Sequence, residues 1–300
     1  MRYDLTTLHI FLCVAEERSL TRASARVHLA VSAISKRIAE LESRLGITLF
    51  IRSSRGVELT AEGQSMLTHT RQIFHNIQAM DDEILGYSEG IRGQVKLHST
   101  TSALAQFLPE DIETFCGKYP GIKLEVEGRL GTAIVNAIID GSADLGVFAL
   151  QEDVEGIETF QYRSYELAVA LSSKDPLSSA SSLSFQEVAR HELVSQHSES
   201  LLYKRIQEEA RNLGIDLKID MKVSSYDCIC QLVAIRRGIA ILPRNIIDIY
   251  SNVVPITAVT LDEPWAIREL RVGVRSYRML APPVKALLDH LLTWQSNRSS

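Results

Sequence analysis

The stretch Ser19 to Leu45, SLTRASARVHLAVSAISKRIAELESRL, constrains this chain more than any other. Its spacing predicts two helices joined by a tight turn at His28–Ala30. Leu20, Ala23 and Val27 share one side of the first helix. Ile34, Ile38, Leu41 and Leu45 follow at steps of 4, 3 and 4 and form one apolar stripe on the second,. That second helix runs from Val31 to Leu45, where Gly46 stops it. Its opposite face carries Ser32, Ser35, Lys36 and Arg37, with no carboxylate before Glu40. A helix that is apolar on one face, and short, polar and basic on the other, can enter a DNA major groove. Periodicity alone also permits an ordinary helical hairpin with a solvated outer face.

The surroundings favour the first reading. Leu5 to Glu16 reads as a preceding helix, with Leu5, Leu8, Phe11, Leu12 and Ala15 on one face. Ser19 or Thr21 caps the helix after it. Ile47 to Arg52 is strand-like, Ser53 to Gly56 turns the chain, and Val57 to Leu59 returns it. A short hairpin after a helix-turn-helix is a wing, and Arg52 and Arg55 at its tip would reach phosphates or the minor groove. A plain solvated hairpin is the alternative. Charge agrees with the wing: residues 1–60 hold nine Lys and Arg against six Asp and Glu, a net of +3 that leaves −8 on the remainder,.

Thr60 caps a long helix that continues to about Glu89. Its apolar positions Leu67, Ile73, Phe74, Ile77, Met80, Ile84 and Leu85 form a stripe too long for a 60-residue head to bury. A second copy of the chain would cover it, as would the chain's own C-terminal part. Gly90 to Gly93 marks a boundary, after which strands alternate with helices. Strands are expected at Gln94–His98, Ile122–Glu127, Leu145–Phe148, Glu158–Tyr162 and Glu166–Leu171, with a crossover at Arg163–Tyr165, and later at Leu193–Ser195, Lys218–Val223, Ile239–Leu242 and Ile267–Val274. Helices are expected at Ala103–Lys118, Thr132–Asp140, Ser184–Ala189, Ser198–Asn212, Tyr226–Arg236, Arg244–Ile249 and Pro283–Trp294. This rhythm implies a mostly parallel sheet covered on both faces.

In chemical terms the C-terminal part lacks a catalytic set. It has no phosphate-binding glycine loop, nucleophile elbow or zinc-helix motif. No catalytic residue, metal ligand or cofactor is expected; His191 and His197, the closest histidine pair, are six apart. The four cysteines, Cys13, Cys116, Cys228 and Cys230, match no zinc pattern and read as buried free thiols. Cys228 and Cys230 project about 200° apart on a helix and cannot bridge each other. No apolar run reaches the ~18 residues of a membrane span. The N-terminus has no secretory signal, so a cytoplasmic location is expected. One cluster does suggest binding. Ser99, Thr100, Thr101 and Ser102 follow the first strand and open the next helix, where hydroxyls and free amides favour an anion. Gln196 to Ser200 occupies the matching junction further on. Simple N-capping explains either cluster alone; together they suggest a small-molecule cleft.

Residues 5–67 resemble the N-terminal domain of LysR-type transcriptional regulators. The resemblance rests on Phe11-Leu12-Cys13-Val14-Ala15-Glu16, Ser19-Leu20-Thr21-Arg22-Ala23-Ser24, Ser35-Lys36-Arg37-Ile38, Leu41-Glu42-Ser43-Arg44-Leu45-Gly46, Leu49-Phe50-Ile51-Arg52 and Leu59-Thr60-Ala61-Glu62-Gly63. Asp140 to Gly146 and Gly238 to Pro243 resemble that family's effector domain more weakly. The resemblance implies an N-terminal winged helix-turn-helix joined to a C-terminal α/β effector domain of two Rossmann-like lobes, of the periplasmic-binding-protein type II kind. The implied domains are 1–60 for DNA binding, with the helix-turn-helix at about 20–39, then 61–89 as a dimerising linker helix and 91–300 for effector binding. Within the last, one lobe covers about 91–162 and 268–300 and the other about 163–267. The implied partners are double-stranded DNA, a small effector that modulates DNA binding or bending, and further copies of the chain as a homodimer or homotetramer; that the effector is anionic is the reading of the hydroxyl clusters above.

Carried onto this sequence, DNA contact is expected from Arg22, Val31, Ser32, Ser35, Lys36, Arg37, Arg52 and Arg55. Effector contact is expected from Ser99, Thr100, Thr101 and Ser102 in one lobe, and from Ser198 and Ser200 in the other. One departure stands out. The family usually has Ser-Gln-Pro or Ser-Gln-Ser at the start of the recognition helix, where this chain has Ala30-Val31-Ser32. Two other classes stay open: a small-molecule-binding protein whose head is a protein-interaction module, and an enzyme built on the α/β part.

Overall fold

A computed structural model describes residues 3–53, 56–89, 91–149, 154–198 and 200–293. The chain divides into two compact units, Met1–Gly90 with Ile139–Ser142, and the remainder.

The first unit comprises α1 (Leu5–Glu17), α2 (Leu20–Val27), α3 (Val31–Leu45), the antiparallel hairpin β1 (Phe50–Ser53) and β2 (Gly56–Leu59), and α4 (Ala61–Glu89). The caps follow from local chemistry. Asp4 accepts the Thr7 amide at 2.8 Å, Ser19 accepts the Arg22 amide at 3.4 Å, and Gly46 ends α3 at φ +69°,. Phe11, Val14, Ala23, Ile34, Ile38, Leu41, Leu49, Val57 and Leu67 form one core. The Glu42 carboxylate accepts the amides of Leu49 at 2.7 Å and Phe50 at 3.1 Å, which fixes the hairpin against α3. Thr60 caps α4 by accepting the Gly63 amide at 3.0 Å. Gly63 is required there, because a Cβ would lie 2.2 Å from the Leu49 carbonyl oxygen. The His9 and Phe74 rings lie 5.7 Å apart where α1 meets α4. Along α4, Ile73, Met80 and Ile84 stay exposed and Ile77 half-buried, at steps of 4, 3 and 4.

The second unit runs β3 (Gly93–Ser99), α5 (Thr101–Gln106), α6 (Leu108–Lys118), β4 (Ile122–Gly128), α7 (Gly131–Asp140), β5 (Leu145–Phe148) and β6 (Glu158–Ser172). It continues with β7 (Ser182–Leu183), α8 (Phe185–Val188), β8 (Leu193–Gln196), α9 (Leu201–Asn212), β9 (Ile219–Val223), α10 (Tyr226–Ala234), β10 (Ala240–Pro243), α11 (Arg244–Ser251), β11 (Ile256–Leu261), β12 (Ile267–Val274) and α12 (Pro282–Leu292). Its main sheet has the order β4-β3-β5-β12-β6-β11-β7, with β10 also on β6. A parallel pair, β8 and β9, lies beside it, joined through the Leu193–Ile239 bridge. Both faces of β6 are covered. Leu167, Val169 and Leu171 pack with α8, α9 and β11, while Ala168 and Ala170 pack with α10 and α11,.

Three expectations need correcting. The sheet is mixed rather than mostly parallel: β3 runs parallel to β4 and β5, but β12 returns antiparallel to both β5 and β6, and β10 and β11 pair antiparallel with β6. The expected crossover at Arg163–Tyr165 is the interior of one 15-residue strand, β6. Arg163, Ser164 and Tyr165 pair with Leu270, Glu269 and Arg268 of β12, next to an irregularity at Tyr162, and the charge of buried Arg163 is met by Asp111 of α6 at 2.7 Å. The expected single helix Ala103–Lys118 is two, because Pro109 starts α6 and cannot continue α5,. Sequence reading also missed β11, whose alternation in ITAVTL is a strand signal,.

Candidate functional site

In the first unit, α3 presents Val31, Ser32, Lys36 and Arg37 to solvent. Ala30 provides no side-chain cap for this helix, so its first amides are open,. The hairpin joins the same face: Arg52 Nη1 of β1 donates to Ser35 Oγ at 3.0 Å. Lys36 lies 4.0 Å from Glu40, one turn along. Arg37 leans towards α1, where Thr7 Oγ1 lies at 3.3 Å and Asp4 at 3.9 Å. The Asp4 carboxyl is held below its ordinary pKa by hydrogen bonds from Thr7. Arg22 is drawn to the C-terminal end of α1, to the Glu17 carboxylate at 3.3 Å and to the Glu17 carbonyl. Such exposed pairs are weak, typically ~0–1 kcal/mol, so they leave both cations available to a polyanion. Val31, Ser32, Ser35, Lys36 and Arg52 thus come together, with Arg22 and Arg37 to either side. Arg55 lies outside the described residues.

In the second unit a cleft with a cavity volume of about 60 Å³ opens beyond the C-terminal ends of β3, β4, β5 and β8, the usual ligand position in an open α/β sheet. Thr100, Thr101 and Ser102 line one wall with Arg129, Leu130, Gly131 and Ala149. Tyr165, Gln196, His197, Ser200, Leu201, Leu202 and Tyr226 line the other. The Thr100 and Ser102 hydroxyls are 3.1 Å apart. Ser200 donates to Gln196 Oε1 at 2.7 Å and caps α9 through the Tyr203 amide. Burial raises the Tyr226 phenol above its ordinary pKa, and Gln196 hydrogen-bonds it. Two of the expected hydroxyls do not reach the cleft. Ser99 is fully buried and donates to the Thr100 carbonyl, and Ser198 lies outside the lining.

Sequence reasoning missed the cleft's most unusual group. Arg268 of β12 lines the cleft, is only 7% exposed, and has no ion pair or side-chain hydrogen bond among the described residues. Its neighbour Ile267 is 65% exposed. Arg268 occupies an inward position of the strand, in step with buried Leu270, Val272 and Val274. A buried cation without a carboxylate is costly, and an anion entering the cleft would remove that cost.

No group of metal ligands occurs among the described residues, and no described helix is long and apolar enough to cross a membrane. All four cysteines are free. Cys13 and Cys230 are buried, which raises both thiols, Cys230 to about 11, and makes them poor nucleophiles,. Cys116 is exposed and Cys228 half-buried, so the expectation of burial holds for two of the four.

Comparison with known proteins bears on both sites. Residues 5–64 match the bacterial regulatory helix-turn-helix proteins of the lysR family, and residues 88–296 match the LysR substrate binding domain. The chain belongs to the LysR family of transcriptional regulators. Among curated LysR-type relatives, the regulator AlsR of Bacillus subtilis is 26% identical over 246 residues, 81% of each chain. The activator IlvY of Haemophilus influenzae is 24% identical over 290 residues, covering 94% of this chain and 98% of its own. The fold matches a full-length OxyR variant from Pseudomonas aeruginosa (TM-score 0.76, 18% identity, 96% and 94% covered). It also matches full-length CbnR complexed with its target DNA (TM-score 0.68, 18% identity, 99% and 100% covered). As a LysR-type protein the chain is a transcriptional regulator with an effector-binding domain, not an enzyme. The face built on α3 and β1 belongs to its helix-turn-helix region.

Proposed function

We propose that this regulator binds an operator duplex through the α3–β1 face and changes its binding to, or bending of, that DNA when a small anion occupies the cleft around Arg268. The observation that carries the effector's charge is Arg268 itself, a buried guanidinium facing open space with no carboxylate beside it among the described residues. The effector domain of QuiR, which has the same fold, was solved with shikimate, a small carboxylate (TM-score 0.61, 21% identity, 69% of this chain covered). Thr100, Thr101, Ser102 and Ser200 supply hydroxyls to the same site. A thermal-shift panel of small carboxylates and aromatic acids tests the reading. At least one acid at ~100 times its Kd should add about 2.7 kcal/mol of stability, read as a rise of several degrees in Tm. If neutral analogues stabilise the protein as well as their acids do, the anionic assignment fails.

The reading includes self-association, as a homodimer or homotetramer in the cytoplasm. Supporting it, the exposed residues Ile73, Met80 and Ile84, with Ile77 between them, keep the spacing of a helix that pairs with another helix,. The double variant Met80→Asp, Ile84→Asp places charges on already exposed positions, so folding of the protomer is preserved. Its self-dissociation constant should rise at least about 100-fold, measured by sedimentation velocity. Wild-type sedimentation would remove α4 from the interface.

A further inference from the structure

We infer that Leu29 and Val31 form an apolar ridge that selects thymine at the operator positions they meet, by contact with the 5-methyl group. The inference rests on the DNA-binding reading above. Leu29 is 38% exposed and Val31 39% exposed, on either side of exposed Ala30. Three apolar residues in succession therefore face solvent at the leading end of α3. Their backbone is held in place. Ser24 Oγ donates to the Leu29 carbonyl at 2.6 Å, the Leu29 amide donates to the Ser24 carbonyl at 3.2 Å, and His28 makes the turn at φ +54°. The ridge is a fixed surface rather than a mobile loop tip.

Its neighbours indicate what it meets. Ser32 and Lys36 are exposed on the same helix, Arg52 sits at Ser35, and α3 carries no carboxylate before Glu40. A basic, hydroxyl-bearing rim suits a nucleic-acid groove, where the cations and hydroxyls meet phosphates and set the register. Leucine, alanine and valine side chains offer no hydrogen bond to a base edge. The one apolar feature that any base presents in the major groove is the thymine methyl. Against a G·C pair the same side chains would cover the cytosine amino group and the guanine acceptors without replacing their lost water. The ridge therefore discriminates in two ways, by contact with a methyl and by exclusion of the more polar edge.

The test changes the DNA and leaves the protein folded as it is. An operator is first selected from a random duplex pool with the full-length protein. Each thymine is then replaced singly by deoxyuridine, which pairs identically and lacks only the methyl. At one or two positions in each half-site the replacement should weaken binding about fourfold, the worth of one buried methyl. Val31→Ala should lose that sensitivity at one of these positions and Leu29→Ala at the other. Lys36→Ala should weaken every duplex alike and keep the pattern. Full affinity for half-sites in which every thymine is uracil overturns the inference while leaving DNA binding intact. Failure to select any duplex counts against the DNA-binding reading and removes the inference with it.

Discussion

Arg268→Met should make the free protein more stable and unresponsive to small carboxylates at the same time. Arg268 is 7% exposed and has no charged partner among the described residues. Burying a guanidinium in this way costs free energy that a thioether of similar reach does not. Replacing buried charged groups by well-packed apolar side chains ranges from neutral to stabilising by ~1–4 kcal/mol. In a unit of this size each kcal/mol is worth ~2–4 °C in Tm, so calorimetry should show a rise of several degrees. The response to anions should move the other way. Removing one partner of a desolvated charge pair typically costs ~2–5 kcal/mol of binding, a loss of at least about 30-fold in affinity. Arg268→Lys should fall between, because lysine keeps the charge but not the planar fork that meets both carboxylate oxygens. A methionine variant that melts lower than wild type and still responds to acids would show that Arg268 serves structure rather than ligand.

Asp111→Ala should be the most destabilising single change in the second unit outside its apolar core. The Arg163 side chain is 4% exposed and Asp111 13% exposed, and they meet at 2.7 Å. The Tyr162 hydroxyl also donates to Asp111, and burial with that bond raises the phenol far above its ordinary pKa. The Arg163 guanidinium lies 5.7 Å from the Phe107 ring centre and 5.3 Å from that of Tyr162. Alanine at 111 would remove the carboxylate that a buried cation and a buried hydroxyl share. Breaking such a pair typically costs ~3–5 kcal/mol. Asp111→Asn should cost less, since its carbonyl oxygen still accepts from Tyr162, although its NH2 group cannot accept from Arg163,. Chemical denaturation of both variants distinguishes these cases. An alanine variant within about 1 kcal/mol of wild type would mean that water or a neighbouring group replaces the carboxylate.

The two arginines differ in what the sequence says of them. Arg163 falls in the segment read as a break between two strands, since a buried arginine is not expected inside one. Its carboxylate is 52 residues away, on a helix that the chain reaches only by folding. Arg268 lies in a strand whose limits were read correctly, and its alternation with Leu270, Val272 and Val274 places it on the buried face, but nothing local shows that this face meets a cleft there,. The hydroxyl clusters were read more successfully because a strand-to-helix junction is a local feature. Even there, parity along β3 could have removed one residue: Val95, Leu97 and Ser99 alternate inward, so Ser99 belongs to the buried face,. The cleft's aromatic and amide groups, Tyr165, Gln196 and Tyr226, come from separate elements and carry no local signal.

The sequence by itself determined the helix-turn-helix, its wing and the long helix after them. Their periods, caps and glycine stops are short-range, and each is set within about four residues. It also determined the alternation of strands and helices beyond residue 90 and the basic bias of the first 60 residues. Tertiary structure alone decided that β12 returns antiparallel through the sheet and that β6 is unbroken. It also placed Arg268, on the inner face of β12, at the wall of a cleft lined by residues of other elements. Those outcomes depend on which distant segment covers a given face, and the energy that settles them, burial of charge against pairing of charge, exists only once the chain is folded.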